Sequence, residues 1–141
     1  MEWQYNDGGR SDAGYKGDAA DCVVRAIAIA TDRPYREVYN ELWQEVASKS
    51  EVKRGHSPRN GVSKKAIKRY MESLGWIWTP TMQIGSGCQV HLQADELPSG
   101  RIVASVSKHL CAVIDGVVHD TYDPTRDGTR CVYGYWSSPS F

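Results

Sequence analysis

The chain has 141 residues, 40% of them hydrophobic, with 17 Lys+Arg balanced by 17 Asp+Glu, and it carries 5 Trp and 8 Tyr. So many large apolar side chains at zero formal charge exclude a disordered chain, and at this length a single domain, residues 1–141, buries roughly two-thirds of its unfolded surface without disulfide or metal staples. The charge balance supplies no long-range attraction to nucleic acid or to an anionic membrane, which disfavours a dedicated DNA binder.

The first ten residues, from Met1 to Arg10, contain no basic segment leading into an apolar one, so no secretory signal is expected. The best apolar run, Val23 to Ala30, is interrupted by Arg25 and falls short of the roughly 20 residues of a membrane span. A cytoplasmic, reducing setting is therefore expected, in which Cys22, Cys88, Cys111 and Cys131 are thiols.

Residues 1–20, rich in Gly and Asp and almost without aliphatic side chains, predict an extended surface loop. Val23, Ala26, Ile27 and Ala30 then recur at helical spacing, with Asp18 or Asp21 as N-cap and Cys22 in the first turn. Pro34 opens a second helix whose stripe is Tyr35, Val38, Tyr39, Leu42, Trp43 and Val46, with Glu37, Glu41 and Glu45 toward solvent. Residues 48–62, with Lys49, Lys53, Arg54, His56 and Arg59, predict an exposed basic loop. A third helix runs from Ser63 through Ala66, Ile67, Tyr70, Met71 and Leu74 to a Gly75 cap.

From there the period changes. Trp76 to Thr79 predicts a strand ended by Pro80, and the turn Leu97-Pro98-Ser99-Gly100 leads into a strand over Arg101 to Val106. Asp115-Gly116 between Leu110–Ile114 and Val117–Tyr122 is a strong hairpin signal, and a last strand covers Arg130 to Trp136. Helices followed by an antiparallel sheet define an α+β fold.

Three residues then converge. Cys22 at a helix N-terminus gains from the helix dipole, which favours the thiolate. His109 opens a hairpin strand, where an imidazole at a strand end can face a helix terminus. With Asp115-Gly116 as the two turn residues, 114 pairs with 117 and 111 with 120, so His109, Cys111, Asp120 and Tyr122 share a face. A carboxylate at Asp120 can accept the second imidazole N–H and stabilise an imidazolium beside a thiolate. Asp123 has the opposite parity and reaches His109 only if the chain bulges.

Asp21-Cys22 at a helix start, a helix closing on Leu74-Gly75-Trp76, the run Leu97 to Ala104, His109 in a strand and Asp123-Pro124 beyond it resemble the papain-like cysteine peptidases. Among these, the order is most similar to the small bacterial peptidase domains that process double-glycine bacteriocin leaders, over nearly the whole chain. The chain also resembles small proteins encoded by bacteria and their phages. The resemblance implies a papain-like α+β fold, with N-terminal helices, the first carrying the Cys, packed on a C-terminal antiparallel sheet. It implies a cysteine hydrolase acting on an amide or thioester bond of a peptide or protein, with Cys22 as nucleophile, His109 as general base and acid, and an Asp as orienting residue. The processing peptidases carry that residue in an Asp-Pro pair, here Asp123-Pro124, whereas the Asn-Ser-Trp of papain is similar to Asp120-Thr121-Tyr122; hairpin register selects Asp120. No cofactor or metal is implied. Two positions depart from the family. The Gln that donates to the oxyanion about six residues before the Cys is replaced by Lys16, leaving Lys16, Gln4 or Asn6 to act with the Cys22 backbone N–H. Val23 stands where the family has Gly.

Other readings of these residues are blander. Cys22 alone is a buried small hydrophobe, and loss of the Gln fits an inactive papain-like binding module, phage-encoded, that blocks a host protein or nucleic acid. Cys88, His91, His109 and Cys111 offer four zinc-type ligands, but alternate strand positions suit a tetrahedron poorly. Cys88, on the loop Gly85-Ser86-Gly87, is a second candidate nucleophile, and Cys131 reads as a strand residue. Lys64, Lys65, Lys68 and Arg69 form a basic face read first as solvated helix surface rather than a phosphate site. Trp76, Trp78, Tyr133, Tyr135 and Trp136 alternate on strands as core residues do, with a peptide-binding groove as the alternative.

Overall fold

The computed structural model describes residues 1–14, 22–48, 63–83 and 85–138, without the side chains of 46–48. The expected caps Asp18 and Asp21, the donor Lys16 and the basic residues of the 49–62 stretch lie outside the described residues.

In chain order the described elements are β1 (Glu2–Tyr5), α1 (Cys22–Thr31), α2 (Tyr35–Ser48), α3 (Lys64–Ser73), β2 (Ile77–Pro80), β3 (Val90–His91), a 3-10 turn at Ala94–Glu96, β4 (Arg101–Val106), β5 (His109–Ile114), β6 (Val117–Asp120) and β7 (Cys131–Ser137). The strands form one sheet in the order β1-β6-β5-β4-β7-β2, with β3 also on β7. The fold is α+β. Among the described residues no helix is long and apolar enough to cross a membrane.

Helix α1 is apolar on every side, and Val23 to Thr31 are all buried, as expected of a helix enclosed by other elements. It lies between α2 and the β4–β5–β6 face, in a core that includes Ile27, Val38, Leu42, Met71, Val103 and Ala112. Each large aliphatic side chain buried there contributes roughly 1.5–3 kcal/mol. Arg101 on β4 ties the sheet to the end of α1 by donating to the Ile29 carbonyl at 2.9 Å. On α3, the Ser63 hydroxyl accepts the Ala66 N–H at 3.2 Å, and Gly75 (φ +82°) ends the helix in the left-handed conformation expected there. The opposite face of the sheet carries a second core, with Ile102, Val106, Val113 and Val118 under Leu92 and Leu97.

The β5–β6 register is the expected one, with Ile114 opposite Val117 and Ala112 opposite His119. Asp115 (φ +48°) and Gly116 (φ +79°) take the two left-handed positions of the tight turn.

Three expectations need correction. Residues 2–5 are not loop: they form β1, parallel to β6, with Tyr5 opposite Asp120, so the sheet is not wholly antiparallel and its first strand precedes the helices. Glu2-Trp3-Gln4-Tyr5 alternates polar and aromatic residues, but the Gly-rich stretch after it hides so short an edge strand. The cysteines are not all thiols, because Cys88 and Cys131 form a disulfide, Cα to Cα 5.8 Å, while Cys22 and Cys111 are free. The two-residue strand β3 sets His91 opposite Cys131 and so brings the Cys88 loop to β7. This bond removes Cys88 as a candidate nucleophile. The four-ligand zinc set is dispersed as well: Cys88 is oxidised, His91 Nδ1 lies 3.2 Å from Glu96 Oε1, and Cys111 is in the second core.

Candidate active site

Cys22 is the first residue of α1, where the free amides and the dipole of an otherwise buried helix favour a negative sulfur. His109 is the first residue of β5 and only 7% exposed. A tight turn at Ser107-Lys108, with Lys108 at φ +55°, delivers it to that position. The buried Arg130 braces this turn by donating to the Ser107 carbonyl and, at 3.4 Å, to the Pro124 carbonyl.

The imidazole Nε2 lies 2.6 Å from Asp120 Oδ2. The same ring and the backbone N–H of Leu110 both act on the Cys22 sulfur and favour its charged form. The structure thus brings Cys22 together with a hydrogen-bonded His109–Asp120 pair.

Asp120 is 3% exposed and heavily fixed. Its Oδ1 accepts the Thr121 N–H at 2.7 Å and lies 3.7 Å from Arg25 Nη2, while its backbone carbonyl accepts the Asn6 N–H at 2.9 Å and the Trp3 indole N–H at 3.3 Å. The N-terminal strand therefore holds the carboxylate in place. The Tyr122 ring, with its centroid 5.2 Å from that of His109, covers the imidazole from the solvent side. Asp123 does not reach it: exposed beyond β6, its Oδ1 accepts the Thr125 N–H at 3.0 Å and hydroxyl at 2.7 Å and so closes its own turn.

The electrostatics of the pair follow from these contacts. Burial by itself disfavours a charged imidazole, but the hydrogen bonds to Asp120 and Cys22 outweigh it and push His109 up to about 9. Burial likewise raises the Cys22 thiol, yet the hydrogen bonds from His109 and Leu110, with the positive charges of His109 and Arg25, bring it below its ordinary value. The two shifts favour a thiolate–imidazolium pair. Cys111, buried among Val113, Val118 and Val132, is pushed far up by desolvation and stays a thiol.

Of the expected oxyanion donors, Asn6 is committed elsewhere: its Oδ1 accepts the Gly8 N–H at 2.8 Å and its Nδ2 lies 3.4 Å from His119 Nδ1. Gln4 is exposed on β1 opposite His119. The backbone N–H of Cys22, at the start of α1, remains as a donor. Arg25, Arg130 and Trp3 were not legible as site residues, whereas Tyr122 lies on the face that hairpin register shares with His109. Arg25 had a signal of its own, a charge placed one helical turn after Cys22 in an otherwise apolar helix.

A cavity of about 310 Å³ lies next to the triad, between α3 and the helix-facing side of the sheet. Its wall includes Leu110, the residue whose N–H meets the Cys22 sulfur. Of the aromatic strand residues, Trp76 and Trp136 are core, whereas Trp78 and Tyr133 are part-exposed at this cavity. On α3, Lys64, Lys65 and Lys68 are exposed, while Arg69 is paired with Glu45 at 2.5 Å.

Fold and site together define an α+β domain with a half-buried Cys22 at a helix N-terminus beside a buried His109 and Asp120. No family model, curated protein or solved structure matches the chain.

Proposed function

We propose that this chain is a papain-like cysteine hydrolase that opens an amide or thioester bond in a peptide or protein through Cys22. The single observation that carries the reading is Cys22 at a helix start beside a His109 that is hydrogen-bonded to Asp120, with both shifts directed toward the ion pair. A buried structural cysteine has no need of an imidazole held by a carboxylate, whereas a nucleophile does.

The thiolate attacks the carbonyl carbon, and the oxygen takes up the negative charge beside the helix N-terminus and the Cys22 N–H. As the tetrahedral intermediate collapses, the carbon–nitrogen or carbon–sulfur bond breaks and a proton from the His109 imidazolium goes to the leaving group. An acyl thioester on Cys22 remains. His109, now neutral, accepts a proton from water as it attacks the thioester carbonyl; the acid departs and the thiolate–imidazolium pair is restored. Asp120 keeps the imidazole ring oriented throughout, and Tyr122 limits access of bulk water to that hydrogen bond.

Incubation of a proteome-derived peptide library with the wild type and with Cys22→Ser tests the reading. New peptide termini that require Cys22 are expected. Identical digests, together with a binding phenotype that survives Cys22→Ser, would instead identify a papain-like binding module, the reading favoured by Lys16 and Val23 at the two positions that depart from the family.

A further inference from the structure

The cavity beside Cys22 is a built feature. Trp78 on β2 pairs with Trp136 on β7, ring centroids 5.3 Å apart, and its indole lies across Gly134. A Cβ at Gly134 would stand 2.2 Å from Trp78 Cζ2, so glycine is what lets the indole settle against β7. Ile67 from α3 and Leu110 from β5 complete an apolar lining.

The rim has a different character. Lys64 and Lys68, one turn apart on α3, both line the cavity and are both exposed, and among the described residues no acidic one lines it. Lys64 is also the first residue of α3, so its ammonium adds to the positive end of that helix. Glu72 lies 3.8 Å from Lys68, but both side chains are more than half exposed, a contact that offers little competition to a ligand. Apolar walls under a doubly cationic rim, one residue from a reactive sulfur, specify complementary chemistry.

We propose that this cavity is the substrate subsite of the Cys22 centre and takes an apolar side chain of a peptide whose neighbouring acidic residue pairs with Lys64 and Lys68. The catalytic use of the subsite rests on the hydrolase reading; the binding does not. Each exposed charge pair is worth about two- to fivefold, so exchanging the acidic neighbour for a basic one shifts affinity by about tenfold at low salt.

N-acetyl-Leu-Glu-amide, N-acetyl-Leu-Lys-amide and N-acetyl-Gly-Glu-amide are titrated into the wild type and Cys22→Ser, with tryptophan emission as the readout because Trp78 and Trp136 line the cavity. The expected order is Leu-Glu tightest, by about tenfold over Leu-Lys, with Gly-Glu also weaker. Lys64→Gln with Lys68→Gln, both at exposed positions, brings Leu-Glu and Leu-Lys to within twofold and leaves Leu-Glu tighter than Gly-Glu. No emission change with any peptide, equal affinity for Leu-Glu and Leu-Lys, or a preference that survives the double variant overturns the subsite. Iodoacetamide labelling of Cys22 reports separately on the hydrolase reading, since a reactive Cys22 with no charge preference refutes the subsite alone, and charge-selective binding to a protein with an inert Cys22 refutes the chemistry alone.

Discussion

Asp120→Asn isolates the charge that holds the ion pair while preserving shape. In the native protein the His109 N–H donates to a carboxylate oxygen at 2.6 Å, with side chains 6% and 4% exposed. A buried hydrogen bond to a charged group contributes about 1.5–3 kcal/mol against about 0.5–1.5 for a neutral one. The amide therefore forfeits about 1–2 kcal/mol of preference for the imidazolium, and the population of the thiolate–imidazolium pair falls roughly 5- to 30-fold wherever the pair is in equilibrium with neutral thiol and imidazole. The assay is the second-order rate of Cys22 alkylation by iodoacetamide across pH, followed by intact mass, with circular dichroism to verify the fold. The expected result is a rate near pH 6 reduced by about tenfold, with the inflection moved toward the ordinary thiol value. An unchanged profile in a folded Asp120→Asn would refute the claim that Asp120 supports the pair.

Further consequences concern stability and the architecture around the site. The lowered Cys22 and the raised His109 shift in opposite directions, so in the wild type their effects on the pH dependence of stability offset one another in part. Cys22→Ala removes that compensation together with the contacts by which the sulfur raises His109, so the upward shift that Asp120 alone maintains contributes stability that is complete below 6.5 and is lost over a window that ends short of 9, visible in urea titrations at several pH values. Under denaturing, non-reducing conditions an Ellman titration is expected to find two thiols, Cys22 and Cys111, and Cys88→Ser to cost about 2–4 kcal/mol in stability by freeing the chain between 88 and 131. Gly134→Ala drives a methyl into Trp78 and is expected to change tryptophan emission and to cost about 1–3 kcal/mol through overpacking. Unaltered emission and stability in that variant would place the indole elsewhere.

The sequence was most legible where local chemistry and tertiary packing agree. The stripe of α2, the Ser63 cap and Gly75 stop of α3, and the Asp115-Gly116 turn each have a backbone reason that needs no distant partner, and the turn alone set the register that puts His109 and Asp120 on one face. What stayed hidden depends on long-range pairing. A four-residue edge strand such as β1 is defined by β6 more than a hundred residues away, so the Trp3 and Asn6 contacts to Asp120 had no local signature. The same holds for β3, whose two residues bring Cys88 to Cys131. Arg25 broke an apolar pattern and for that reason registered only as an interruption, although its guanidinium lies 3.7 Å from the carboxylate behind the histidine.

The central claim, a thiolate already formed on Cys22 by His109, is tested most directly by the pH profile of Cys22 alkylation in the wild type beside His109→Ala. Fast labelling that persists well below neutrality in the wild type, with an ordinary inflection near 9.0 in the variant, is the predicted result. An ordinary thiol profile in both proteins would contradict it.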